Sequence, residues 1–196
     1  MTAEGPGPRE RLIASAIALV REEGVHAAGL AELLARSNTA RNSLYQHFPA
    51  GKSQLIEEST RVAGAHMTRT LTKLTEGGSP EEWIAKFVGW WKKNLQATEY
   101  VFGCPVVGAA LAESEPAIQA AAGEAFTTWG EIIAASLIGA GVPEQDAGSL
   151  GRFVLSAIEG AVIQARATKS VVALDDAQRY VVDCVARARL ASPGTR

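Results

Sequence analysis

Cysteine is almost absent: Cys104 and Cys184 are the two in a chain of 196 residues. They form no metal-ligand spacing, and so lone a pair fits a reducing compartment better than a disulfide scaffold. Both are expected to behave as small buried apolar residues. Histidine is nearly as scarce, and His26, His47 and His66 all fall in the N-terminal third. There is no HExxH, no Cys/His cluster and no recognisable Ser/His/Asp constellation, so no catalytic residue, metal site or cofactor is expected. Strands are missing too. Val171-Val172 is too short and lacks alternation, so no glycine-rich phosphate loop can follow a strand. No apolar run approaches the ~20 residues of a membrane span. The opening MTAEGPGPRE lacks the apolar core of a signal peptide, which sets the expectation of a cytoplasmic protein without a membrane partner.

Charge of one sign is also lacking. Net charge is −2, which excludes a wholesale nucleic-acid coat. The distribution is uneven, however. Residues 1–55 hold six Lys/Arg against five Asp/Glu, and the remainder thirteen against sixteen, so the halves carry +1 and −3. This gives weak support to a nucleic-acid-facing N-terminus.

What is present centres on LAELLARSNTARNSLYQHF, Leu30–Phe48. Leu30, Leu33 and Leu34 share one helical face. Ser37-Asn38 breaks the pattern, and Asn tolerates the left-handed conformation of a tight turn. A second helix is expected from about Thr39, as its N-cap, to His47. Leu44 is its inward anchor, which leaves Arg41, Asn42, Ser43, Tyr45 and Gln46 facing elsewhere. Such a surface offers donors and acceptors for base edges and hydroxyls for phosphates.

These residues resemble the helix-turn-helix domain of TetR-type transcriptional repressors. The resemblance lies in the Ala-rich first helix ending in EEGV, in AELLARS, and in SLYQHFPAGKSQL. GCPVVGAALAES at Gly103–Ser114 and SAIEG at Ser156–Gly160 look like the LmrA/YxaF subgroup. The resemblance implies a phosphate-contacting Lys52 at the start of the next helix, where a cation is otherwise unfavourable to the macrodipole. Two departures matter. Many members carry a capping Thr before the second helix. Here Ala28-Gly29 stands instead, so a contact at Gly29 must use backbone N–H groups. The usual Ala-Gly turn is replaced by Ser37-Asn38.

An all-α chain of about nine helices is expected. Residues 1–55 form a three-helix DNA-binding domain with a disordered tail over 1–8, and 56–196 a helical regulatory and dimerisation domain. Arg9 and Arg11 either reach DNA from the tail or stand as a solvated helix start. The first helix runs from about Arg9 to Glu23, closed by Gly24. A long fourth helix covers Lys52 to Thr75. Ser79, Pro80 and Glu82 then open a fifth by cap, first-turn proline and capping box. Further helices are expected over Val106–Ser114, Ala117–Ala140, Pro143–Thr168 and Asp175–Leu190.

Phe87, Trp90, Trp91, Phe102, Cys104, Val107, Phe126, Trp129 and Phe153 form a candidate ligand pocket; ordinary aromatic core is the alternative. The last two helices are apolar on more than one face. This suggests a four-helix seam between two copies, with Arg152, Leu155, Glu159, Val162, Tyr180 and Cys184 as candidate interface residues. Arg152 and Glu159 either pair across the two-fold axis or remain within one chain. Gly148, Gly151 and Gly160 would let backbones approach there.

The expected function is a one-component, ligand-responsive repressor. It would hold double-stranded pseudo-palindromic operator DNA as a homodimer until a small apolar or aromatic effector releases it. Arg41 is the candidate base contact. Asn42 either reads an adenine or stands in for a glycine. Thr39, Ser43, Tyr45, Gln46, His47, Lys52 and the Gly29 backbone complete the candidate DNA surface, unless His47 packs beneath Tyr45. Two other classes remain open: an all-helical protein or enzyme that binds an apolar molecule, and a helical protein-interaction module without DNA binding.

Overall fold

The computed structural model describes residues 5–190. Among them it contains helices only: α1 (Pro8–Ala27), α2 (Leu30–Ser37), α3 (Arg41–His47), α4 (Lys52–Thr75), α5 (Pro80–Ala97), α6 (Pro105–Ala110), α7 (Pro116–Gly139), α8 (Glu144–Thr168) and α9 (Val172–Leu190). Local chemistry sets most of these bounds. Pro8 occupies the first turn of α1, and the Gly7 N–H donates to Glu10 Oε2 at 3.0 Å. At α5 the Ser79 hydroxyl accepts from the Glu82 N–H at 3.3 Å, with Pro80 in the first turn.

Three bounds differ from expectation by three residues or more. α1 does break at Gly24, whose φ of +83° favours glycine, but the chain re-enters helix as far as Ala27 because Val25 is buried. α6 stops at Ala110, since tight turns with Ala112 N–H on Ala109 O and Glu115 N–H on Ala112 O lead into Pro116. α9 begins at Val172 rather than Asp175, because Leu174 and Asp175 N–H both close on Val171 O.

The chain divides into two compact units. The first comprises residues up to Ala65 together with Cys104–Ala125; the second comprises His66–Gly103 together with Phe126 onward. In the first, Leu12, Ile13, Ala16, Leu19, Ala28, Leu33, Leu44, Phe48 and Leu55 form one core from α1 to α4. α6 packs on α1 so closely that a Cβ on Gly108 would lie 3.2 Å from both Val20 Cγ1 and Val20 O. A Cβ on Gly64 of α4 would meet Ala125 Cβ of α7 at 3.0 Å. These close approaches draw Cys104–Ala125 into the first unit, so this compaction follows a different partition from a functional division at residue 55.

The second unit is built from α5, α8 and α9 with the remaining parts of α4 and α7. Trp83, Ile84, Phe87, Val88 and Trp91 of α5 are buried, as are Val154, Ile158 and Ala161 of α8 and Val181 and Val185 of α9. Burying each large side chain contributes about 1.5–3 kcal/mol. Gly151 belongs to this interior: a Cβ there would lie 2.9 Å from Gly130 O and 3.1 Å from Ala134 N of α7. The close approach expected of Gly151 at a seam between copies is therefore made within one chain. The Arg166 guanidinium donates to Val101 O at 2.7 Å and lies where a Cβ on Gly103 would sit, which accounts for the glycine at that break.

Candidate nucleic-acid interface

The turn between α2 and α3 is closed by backbone. Asn38 stands at φ 48°, ψ 52°, the left-handed conformation expected of it. Its N–H donates to Ala35 O and the Thr39 N–H to Leu34 O, each at 3.1 Å. Paired 5→2 and 6→1 bonds of this kind satisfy the orphan carbonyls at a helix end. Thr39 is not the cap of the next helix. Ala40 is, and the Thr39 hydroxyl turns back to donate to Ser37 O at 3.0 Å. That hydroxyl completes the preceding turn because the backbone closure already aims it there.

α3 buries Leu44 alone. Arg41, Asn42, Tyr45 and Gln46 are exposed, and Ser43 and His47 are half-buried. Arg41, Asn42, Ser43 and Gln46 make no side-chain hydrogen bond or ion pair among the described residues. The His47 ring meets Phe48 edge-on at 6.5 Å. Tyr45 packs its ring over Gly51: a Cβ there would lie 3.2 Å from Tyr45 Cε1, and Gly51 stands at φ +74°. Gly51 thus serves both the turn into α4 and the orientation of Tyr45, a role the sequence pattern did not reveal. Lys52 opens α4, half-buried and without an ion pair among the described residues. Gly29 precedes α2 with no side-chain cap, leaving only backbone to offer there.

Other cations nearby are engaged. Arg36 pairs with Glu22 at 2.6 Å and Glu32 at 2.8 Å, and these hydrogen bonds hold its guanidinium above its ordinary pKa, Glu22 first. Arg9 pairs with Glu58 and lies 5.5 Å from the centre of the Phe48 ring. Arg11 donates to Ser37 O at 3.0 Å, Pro6 O at 2.9 Å and, at longer range, Asn38 O at 3.4 Å.

The candidate pocket residues fall in both units. Cys104, buried, and Val107 belong to the first; Phe87, Trp90, Trp91, Phe102, Phe126, Trp129 and Phe153 belong to the second. Phe87 stacks on Trp90 at 6.3 Å, Trp90 meets Trp91 edge-on at 4.8 Å, and Trp129 meets Phe126 edge-on at 5.4 Å. Phe87, Trp91 and Trp129 are fully buried, whereas Phe153 is 47% exposed. A cavity of about 470 Å³ opens between α7 and α8, and Phe126 is the pocket candidate that lines it. Gly130, Ala134, Arg152, Leu155 and Glu159 share that lining. The small residues of α7 that make room for it were visible in the sequence, but an aromatic search passes over them. Of the candidate seam residues, Leu155, Glu159 and Val162 are buried within their own chain, while Arg152 and Tyr180 are exposed and Cys184 is half-buried. Among the described residues, no group of His, Cys, Asp and Glu could hold a metal ion, and no helix is long and apolar enough to cross a membrane.

Residues 12–59 match the family model for bacterial regulatory proteins of the tetR family. Residues 80–180 match the C-terminal domain of LmrA/YxaF-like transcriptional regulators. The chain is 31% identical over 182 residues to the HTH-type transcriptional regulator Rv0196 of Mycobacterium tuberculosis, covering 89% of this chain and 92% of that one. It is 28% identical over 184 residues to the HTH-type transcriptional regulator LmrA of Bacillus subtilis, covering 91% and 97%. In fold it resembles a TetR transcriptional regulator from Legionella pneumophila, with a TM-score of 0.81 and 21% identity over 94% of this chain and 99% of the other.

Proposed function

We propose a function from one premise: the chain belongs to the TetR family of bacterial transcriptional regulators, with an LmrA/YxaF-like C-terminal domain. Regulators of this family bind DNA. This one acts as a dimeric repressor that places two copies of α3 in successive major grooves, about 34–36 Å apart on a pseudo-palindromic operator. The observation that carries the reading is the outward face of α3. Arg41, Asn42 and Gln46 stand exposed with no side-chain partner among the described residues, as groups kept for base edges would. Arg41 reads a guanine. Ser43, Tyr45, His47, Lys52 and the backbone at Gly29 hold the phosphates, while the Thr39 donors are spent on the turn itself. No catalytic role is assigned.

Dimerisation runs through α8 and α9. Phe153, Ile163 and Tyr180 are among the large apolar side chains these helices leave exposed, with Val172 and Leu190 at the two ends of α9, beside half-buried Cys184. The effector occupies the cavity between α7 and α8, where Phe126, Ala134 and Leu155 suit a small apolar or aromatic molecule and Arg152, Glu131 and Glu159 supply the polar part of the lining. Effector and operator oppose one another by a coupling of ~1–3 kcal/mol, equal in both directions.

A gel-shift with DNA flanking the gene tests the reading. The expected result is a discrete complex that survives excess non-specific competitor; loss of every complex to competitor would refute it. An effector in the cavity should change the emission of Trp129, which rests on Phe126, and saturating operator should weaken that titration.

A further inference from the structure

α3 has seven residues, too few to hold a helix in water unaided, and a single buried anchor, Leu44. A helix on one anchor can rock about it, yet base reading requires its side chains to meet base edges within a few tenths of an ångström. Something must hold the ends. At the end entered from α2, the Ser37 carbonyl accepts from both the Thr39 hydroxyl and Arg11 Nε, each at 3.0 Å. The same guanidinium reaches back to Pro6 O at 2.9 Å and forward to Asn38 O at 3.4 Å. It therefore ties the left-handed turn to the start of α1 and places positive charge against the carbonyl end of α2, where the macrodipole favours it. At the other end, Phe48 is fully buried and its N–H closes on Leu44 O at 2.7 Å. Arg9 lies over its ring while paired with Glu58 of α4.

We propose that Arg11 is a positioning residue for DNA reading: it fixes the turn ahead of the recognition helix and contacts no phosphate itself, while Arg9 steadies the far end. This rests on the operator-binding function proposed above. The sequence leaves two roles open to these arginines, an arm to DNA and a solvated helix start; Arg9 stands exposed at the start of α1, whereas Arg11 is half-buried and turned onto the protein's own carbonyls. Each of the three Arg11 nitrogens donates to a backbone carbonyl of the protein, so three of its five N–H groups are committed to the turn and to the start of α1.

Two measurements separate the roles. In DNA-free protein, Arg11→Met keeps the aliphatic stem and removes the donors. Amide hydrogen exchange of Asn38, Thr39 and α3 should then speed by on the order of tenfold, the effect of a lost charge-assisted hydrogen bond, with α8 unchanged. Unaltered exchange in the turn would overturn the proposal, as would an equal acceleration in α8. The second measurement is a salt titration of DNA binding. Losing a phosphate contact lowers the slope of log K against log salt by about 0.9 per contact and weakens all sequences alike. Losing a positioning residue should lower operator affinity by on the order of tenfold while leaving the slope and non-specific affinity unchanged. Arg11→Lys distinguishes them again. It restores a phosphate contact, but its single ammonium cannot span Ser37 O and Pro6 O, so operator affinity should stay low. A reduced slope in Arg11→Met, or full recovery in Arg11→Lys, would overturn the proposal. If the unmodified protein binds no DNA at all, the proposed function falls instead, and the exchange measurement alone decides whether Arg11 holds the turn.

Discussion

Leu44→Ala should loosen the recognition helix before it loosens anything else. Leu44 is 0% exposed and is the one buried residue of α3. Truncating a buried leucine loses its transfer free energy and leaves a cavity, together about 2–5 kcal/mol. Leu33 and Leu55 of the same core are anchored on α2 and α4 and cannot both close the gap. A mid-range cost of ~3 kcal/mol corresponds to about a hundredfold increase in the open population, since every 1.4 kcal/mol is tenfold. Because all four tryptophans lie in the second unit, their emission is blind to this change, and amide exchange is the suitable assay. Exchange of the Tyr45–Phe48 amides should accelerate by about two orders of magnitude, with the Trp emission spectrum unchanged. Exchange that stays slow in α3 would refute the single-anchor reasoning. Uniform acceleration through α5 and α8 would refute the idea that the cost is local.

Three further outcomes follow from the same contacts. Arg41→Ala should cost about 1–3 kcal/mol and relax base preference at one position per half-site, whereas Lys52→Ala should weaken all sequences alike and flatten the salt dependence, both read by anisotropy titration at several salt concentrations. Phe153→Asp should give a monomer in sedimentation at micromolar concentration, because it adds charge to the exposed face of α8; a persistent dimer would move the seam elsewhere. Glu81 has its carboxyl held below its ordinary pKa, first by its own backbone N–H, then by Ser79 and Arg189. Its contribution is therefore present above the unfolded carboxylate value and lost as pH falls through the lowered one. Glu81→Gln should flatten the acid limb of the stability profile, and an unchanged limb in pH-dependent melting would contradict this.

The start of α4 at Lys52 and the cap of α5 were legible in sequence because they depend on a few local residues: the PAGK break, Pro49–Lys52, before α4, and Ser79, Pro80 and Glu82 at α5. The left-handed Asn38 was legible for the same reason. Rotation of a helix about its own axis was not. α8 is apolar around most of its circumference, so pattern alone could not tell that Leu155, Glu159 and Val162 turn inward while Phe153 and Ile163 face out. Ala161 is likewise interior, so a charge placed there would test the fold rather than a seam. Gly151 showed that something approaches closely; only the partner helix α7 identified it as Gly130 and Ala134. The aromatic residues of α5 stack largely on one another, while the open cavity lies beside small residues of α7. Thr39 illustrates the limit at single-residue scale. A hydroxyl before a helix reads as its cap, but here the preceding turn had the better acceptor in Ser37 O.

The most direct measurement is a hydroxyl-radical footprint of the purified protein on the DNA flanking its gene, repeated with five base pairs inserted between the protected half-sites. Two protected half-sites about one helical turn apart are expected, with protection lost on the insertion because it rotates one groove to the opposite face. An Arg41→Ala protein should need a concentration on the order of tenfold or more higher to protect either half-site. No sequence-selective protection, or protection indifferent to both the insertion and Arg41, would contradict a dimer that reads its operator through α3.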